Sequence, residues 1–208
     1  MNFKAVTFAA LVALSLGACN KTMTASNGFG MTDPSVSTQD AKLLAMVPNI
    51  ELPSEFRRQQ IDYVTKEVPG SVVIDSKAHF LYYVLPGNKA IRYGVATGAE
   101  AAGWSGVANV ARKAEWPHWL PPADMLQRWP HLKPTVDAGG LPGGPDNPLG
   151  ARAMYLFQNN HDTLYRIHGT NEPESIGHDV SSGCIRLTNI DAIDLFNRVK
   201  VGAKVVVL

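Results

Sequence analysis

The chain has 208 residues, with 19 Lys and Arg against 18 Asp and Glu, and a formal net charge of +1. This near-balance leaves no basic face for nucleic acid, and 45% hydrophobic residues with mean hydropathy near zero fit one soluble globular domain. Two cysteines, Cys19 and Cys184, are too few for a disulfide framework.

Residues 1–19 read as an export signal: Lys4 stands near the start, followed by the apolar run Ala5 to Leu16. That run is shorter than the roughly 20 residues a membrane span needs. It ends in Leu16-Gly17-Ala18-Cys19, which resembles the lipobox of bacterial lipoproteins, so Cys19 is the expected lipidation site. Cleavage as a plain signal peptide is the alternative. Residues 20–46 are rich in Thr, Ser, Asn and Asp and read as a flexible tether reaching on the order of 30 Å. The folded domain is expected over residues 47–208.

Ser54 is placed to cap a short helix running to about Val64, burying Phe56, Ile61 and Val64. After Pro69-Gly70 the pattern turns to strands, over Ser71 to Asp75, His79 to Leu85 and Ile91 to Thr97, an antiparallel meander. Trp104 to Lys113 reads as a further strand. The Pro-rich segment Ala114 to Pro122 is irregular, and Trp116, Trp119 and Trp129 are expected to pack as a lid on the sheet. A sugar-stacking platform is the rival use of those rings. Gly139 to Gly150 forms an irregular Gly- and Pro-rich loop, without the Lys-Ser/Thr pair a phosphate loop needs. Met154 to Phe157 and Thr163 to Ile167 read as a hairpin that delivers His168 at its end. Thr188 and Asp191 have capping-box spacing for a helix burying Ile190, Ile193, Phe196 and Val199, and Lys204 to Leu208 is a last strand. One mainly β domain with a few short helices results.

The chemistry concentrates between Tyr165 and Asn189. With Cys19 lipidated, Cys184 has no disulfide partner, and a lone thiol outside the cytosol is exposed to oxidation. A chemical use for it is therefore expected over a packing one. A thiol attacks acyl groups as its thiolate and needs a base, for which His168 is the leading candidate. The glycines before Cys184 and after His168 permit tight turns. Backbone N–H groups of Ser182, Gly183 and Cys184 are placed to meet an oxyanion, and Arg186, two residues past the thiol, suits a substrate carboxylate. His161 and His178 read as surface or loop histidines. A zinc site from His168, His178 and Cys184 lacks closely spaced ligand pairs, so no metal or cofactor is expected.

The motif His168-Gly169-Thr170, then Ser181-Ser182-Gly183-Cys184-Ile185-Arg186, then Asn189 resembles the signature of the L,D-transpeptidase catalytic domain, the YkuD family. The resemblance extends over about Val68 to Leu208, including VVIDSKAHFLYYVL, Asn147 to Gly150, and the closing helix and strand. It implies a β-sandwich-like fold. It also implies that Cys184, deprotonated by His168, attacks the third residue of a peptidoglycan stem tetrapeptide, expels the terminal D-alanine and leaves a thioester. An amine on a second stem resolves the thioester into a 3→3 crosslink; other members attach an outer-membrane lipoprotein to the wall or use water as carboxypeptidases. The carbonyl of Gly169 is the implied partner that orients the imidazole, and carbapenems the implied acylating inhibitors. Ser182 stands where the commoner pattern has His, which leaves His168 as the supported base. A non-catalytic peptidoglycan-binding lipoprotein is the rival of another class. The lipid at Cys19 places the domain in the periplasm, and Asn20 after it points to the outer membrane.

Overall fold

The computed structural model describes residues 33, 35–98, 105–181 and 183–208. The expected signal, Cys19, most of the expected tether and Ser182 lie outside them. In chain order the elements are α1 (Thr38–Leu44), β1 (Gln59–Asp62), β2 (Val72–Asp75), β3 (Phe80–Leu85), β4 (Lys89–Gly94), β5 (Thr97–Gly98), β6 (Gly106–Glu115), α2 (Ala123–Arg128), α3 (Lys133–Asp137), β7 (Arg152–Gln158), β8 (His161–His168), β9 (Asp179–Ser181), β10 (Ile185–Arg186), α4 (Asn189–Arg198) and β11 (Lys204–Val207).

Nine strands form one ladder in the order β1-β4-β3-β2-β11-β6-β7-β8-β10, and β5 and β9 make a second, two-stranded sheet. Short turns set the local hairpins. Asn159 and Asn160, both at positive φ, close β7 on β8 in a two-residue turn, where asparagine tolerates the left-handed region at little cost. The long-range arrangement depends on the last strand. β11 lies parallel to β2, with Val205 beside Val72, and antiparallel to β6, with Val205 beside Ala108. It joins the N-terminal meander to the strands that carry the motif.

Residues from near both ends of the ladder share one core. Ile91 and Tyr93 of β4 lie in the same buried cluster as Ile167 of β8 and Ile185 of β10. Backbone bonds of 2.9 Å in both directions between Ala96 and Arg186 tie the chain after β4 to β10. The sheet therefore wraps on itself around one interior, giving the sandwich-like, mainly β architecture. α4 closes that interior. Thr188 caps it by accepting from the Asp191 N–H, Ile193, Leu195 and Val199 are buried, and Lys113 reaches the Phe196 and Val199 carbonyls at its C-terminal end.

Three expectations are corrected. The helix from Ser54 to Val64 is a single 3-10 turn over Ser54–Phe56 followed by β1. Ser54 supplies no helix cap, residues 59–62 bond to the open edge of β4, and Val64 is 85% exposed. Phe56 does pack inward, against the small cluster of Leu52, Ala96 and Ile176. The tryptophans form no common lid. Trp116 donates to Asp40, Trp119 sits in a bridge to Leu141, and Trp129 is exposed beside α2. Finally, the segment read as tether contains α1, capped by a reciprocal Ser37–Asp40 box and docked on the domain.

The docking is an ion pair. Asp40 and Arg152 are both buried and share two hydrogen bonds, 2.9 and 2.8 Å, with Trp116 Nε1 as a third donor to the carboxylate. Burial alone would raise the Asp40 pKa; the bonds from Arg152, Ser37 and Trp116 and the charge of Arg152 outweigh it and hold the group at about 2. Asp40→Ala leaves the buried Arg152 guanidinium with only the longer contact to the exposed Glu115, at 3.6 Å, and we expect a loss of about 3 kcal/mol in chemical denaturation. Because the folded carboxyl is depressed below its unfolded value near 4, this stabilisation is complete above that pH and lost as pH falls toward 2. The gap in Tm between wild type and Asp40→Asn should therefore narrow on acidification from pH 7 to pH 3.

Candidate active site

β8 and β10 run side by side in parallel, with Ile185 beside Ile167 and Arg186 beside His168. Side chains of a strand alternate between faces. The two isoleucines turn into the core, 2% and 0% exposed, so Cys184, Arg186, Arg166 and His168 share the opposite face. The thiol precedes β10 by one residue, with Sγ 3.9 Å from the carbonyl oxygen of Leu164. Gly183 makes this approach feasible. Its φ is +123°, and a β-carbon there would stand 2.7 Å from the Tyr165 ring.

His168 ends β8 and is 4% exposed. Its Nδ1 lies 2.5 Å from the carbonyl oxygen of Gly169. A carbonyl only accepts, so Nδ1 carries the proton and Nε2 is left with its lone pair. Gly169 is itself fixed: its N–H donates to the Arg152 carbonyl at 2.9 Å, and a β-carbon on it would lie 2.2 Å from Asn189 Oδ1. Asn189, buried at the start of α4, donates to the Thr170 carbonyl and accepts from the Ala151 N–H, each at 2.8 Å. Helix, β7 entry and histidine loop thus meet at one side-chain amide.

Residues 69–207 match the model of the L,D-transpeptidase catalytic domain, YkuD. The chain belongs to that family. It is 35% identical over 140 residues to the probable L,D-transpeptidase ErfK/SrfK of Salmonella typhimurium, covering 66% of this chain and 43% of that protein. To the putative L,D-transpeptidase YqjB of Bacillus subtilis it is 33% identical over 144 residues, covering 67% and 73%. The chain spans less than half the length of the ErfK/SrfK relative. Among solved structures, one from Brucella melitensis described as a probable carnitine operon oxidoreductase is 46% identical, with a TM-score of 0.52 over 76% of this chain and 96% of that one. The Ldtfm–avibactam carbamoyl enzyme is similar in fold alone, at 20% identity and a TM-score of 0.50, covering 68% and 49%.

In this L,D-transpeptidase domain the imidazole is neutral at physiological pH. Burial first, then the charges of Arg186 and Arg166, lower its pKa to about 4, against the opposing Gly169 bond. The thiol is shifted the other way. Burial pushes Cys184 above its ordinary value, and the Arg166 N–H and the guanidinium charges of Arg166 and Arg186 offset only part of that. At rest the thiol and the imidazole on this face are both neutral.

The remaining expected residues are distributed unevenly. Arg186 shares the face of His168 but already holds a carboxylate, Glu172 Oε2 at 2.9 Å. His178 is exposed in the loop and His161 at the start of β8. Among the described residues no cluster of His, Cys, Asp or Glu is arranged for a metal ion. Two neighbours escaped the sequence reading: Glu172, and the clamp of Arg166 by Asp162 through both oxygens at 2.6 and 2.8 Å. The Asp162–Arg166 spacing carries no such meaning for a regular strand, because the contact depends on the irregular register of β8. The position of Asn189 in the motif was a usable signal for its role.

The neutral resting pair makes a kinetic prediction. Alkylation of Cys184 by iodoacetamide should climb through the alkaline range, above pH 8, following the raised thiol pKa. A plateau established below pH 7 would instead mark a thiolate–imidazolium pair.

Proposed function

We propose that the chain is a peptidoglycan L,D-transpeptidase with Cys184 as nucleophile and His168 as base. The observation that carries the reading is the shared face of Cys184, one residue before β10, and His168, at the end of the adjoining parallel β8, with the Nδ1–H committed to Gly169. Nε2 is the basic nitrogen left for the thiol proton. Because both groups rest neutral, the proton moves to Nε2 as Sγ attacks the carbonyl of the third stem residue. Backbone N–H groups of Ser182, Gly183 and Cys184 receive the oxyanion. Collapse expels the D-alanine amine, which takes the proton from His168, and leaves a thioester on Cys184. An acceptor amine then attacks, gives its proton to His168, and the thiol is restored. Gly169 orients the base without titrating, the role a side-chain acid fills in other triads. Arg186 receives a substrate carboxylate in exchange for Glu172.

The acceptor is a stem amine, giving a 3→3 link, or an amine of a wall-attached lipoprotein. Water in that place would make the protein an L,D-carboxypeptidase. A binding protein would need neither thiol nor base. Lipidation of Cys19 anchors the domain on the periplasmic side of the outer membrane; among the described residues no helix is long and apolar enough to cross one.

The test is incubation of the purified protein with disaccharide tetrapeptide and mass spectrometry of the products. Dimers with a 3→3 link are expected; tripeptide and D-alanine without dimer would mark the carboxypeptidase, and unchanged substrate would count against the enzyme. Cys184→Ala should abolish turnover and the mass shift produced by a carbapenem while leaving Tm near wild type. His168→Ala should lower turnover on the order of 10²–10⁴-fold. Near-normal turnover in that variant would assign the base elsewhere.

A further inference from the structure

Tyr155 stands at the middle of a row running across the sheet beside the thiol. Register pairs it with Arg112 of β6 on one side and Arg166 of β8 on the other. The two guanidinium carbons lie 3.5 and 4.5 Å from its ring centroid. The parallel register of β10 on β8 continues the row to Cys184, two residues back from the Arg186–His168 pair.

Both ladders are irregular at this row. The β6–β7 register shifts between Val110 and Arg112, and the β7–β8 register between Tyr155 and Phe157. Val110 is buried in the core, and on a regular strand Arg112, two residues on, would face the core as well. The extra residue, Ala111, reverses the alternation and turns Arg112 out over Tyr155. On β8 the irregularity brings Asp162 onto Arg166 through both carboxylate oxygens. Asp162 thus neutralises Arg166, and Glu172 meets Arg186. Arg112 is exposed; the charge of Asp162 reaches it, but among the described residues no carboxylate oxygen lies at ion-pairing distance from it, because both Asp162 oxygens are taken by Arg166. A strand spacing of about 4.8 Å sets Tyr155, and the guanidinium over it, about 10 Å from the thiol across the sheet.

We propose that Arg112, held over the Tyr155 ring, binds a carboxylate of the acyl donor about 10 Å from the carbonyl carbon that Cys184 attacks. The inference rests on the transpeptidase reading and adds a specificity determinant to it. One or two extended residues and an acidic side chain cover that distance. A guanidinium braced on an aromatic ring loses little freedom on meeting a planar carboxylate, which it recognises through two parallel bonds. Asp162 acts on Arg112 through its charge but commits both oxygens to Arg166, so cross-strand packing accounts for a long side chain over Tyr155 and leaves the N–H groups of that guanidinium without a carboxylate partner among the described residues.

The experiment compares two donor tetrapeptides, one with its side-chain and α-carboxylates free and one with those upstream of the scissile bond amidated. Wild type should favour the free acid by about tenfold in kcat/KM, mainly through KM, since a charge-assisted bond contributes at that scale. Arg112→Gln should remove most of that preference, any remainder belonging to Arg186, and Arg112→Lys, which keeps the charge, should restore part of it. Equal use of both peptides by wild type, or a preference intact in Arg112→Gln, overturns the proposal. If wild type turns over neither peptide, the transpeptidase reading fails instead, and binding to Cys184→Ala decides the site alone. Tighter binding of the free acid, lost in the Arg112→Gln, Cys184→Ala double variant, then supports it; equal binding of both peptides to Cys184→Ala overturns it.

Discussion

Two residue pairs of parallel strand hold the candidate site together. Ile185 beside Ile167 and Arg186 beside His168 are the whole register of β10 on β8. So short a pairing has little strength of its own. It persists because both isoleucines are buried, because the Leu187 N–H continues the pairing to the His168 carbonyl, and because Arg186 also bonds to Ala96. The face opposite the isoleucines carries thiol, imidazole and guanidinium as a consequence of strand alternation. Burial of Ile167 and Ile185 therefore sets the direction of Cys184 and His168.

The same burial decides their protonation. A desolvated imidazole in the field of two guanidiniums stays neutral, and a desolvated thiol stays protonated despite those charges. Under the proposed chemistry the protein stores no thiolate. It holds an oriented base with a lone pair and, on the same face, a proton donor, and charge separation is left to the step in which substrate arrives. For a protein proposed to work outside the cytosol, this also limits oxidation of the thiol at rest.

Support for the histidine loop comes from several chain segments. Asn189 joins α4 to Ala151 and Thr170, the Arg152 carbonyl holds the Gly169 N–H, and the Arg152 guanidinium is neutralised by Asp40 of α1. Arg58 extends the same attachment, meeting Asp33 as well as Asp191 and Asp194 of α4. Residues before β1 are thus part of the structure beneath the site. A segment that reads from composition as a spacer contributes a buried counter-charge to it.

Much of this was legible in the sequence, for local reasons. The β2–β4 meander, the β7–β8 hairpin, the capped α4 and the last strand follow from alternation, turn residues and capping chemistry, which act over a few neighbours. So does the motif that marks the family. What eluded the sequence required partners distant along the chain. Residues 54–64 have no local reason to leave the helix for a strand, because that reason is the open edge of β4. α1 shows no long apolar stripe, since what fixes it is one aspartate meeting an arginine 112 residues later. Arg112 reads as an ordinary strand residue until a bulge reverses its face, and Glu172 as a loop acid until the fold sets it on Arg186. The chain's chemistry and its local elements are written in short-range pattern. Which charges are paired, which face each side chain takes and how the base is held were decided by tertiary structure, because register and burial depend on contacts that no local stretch contains.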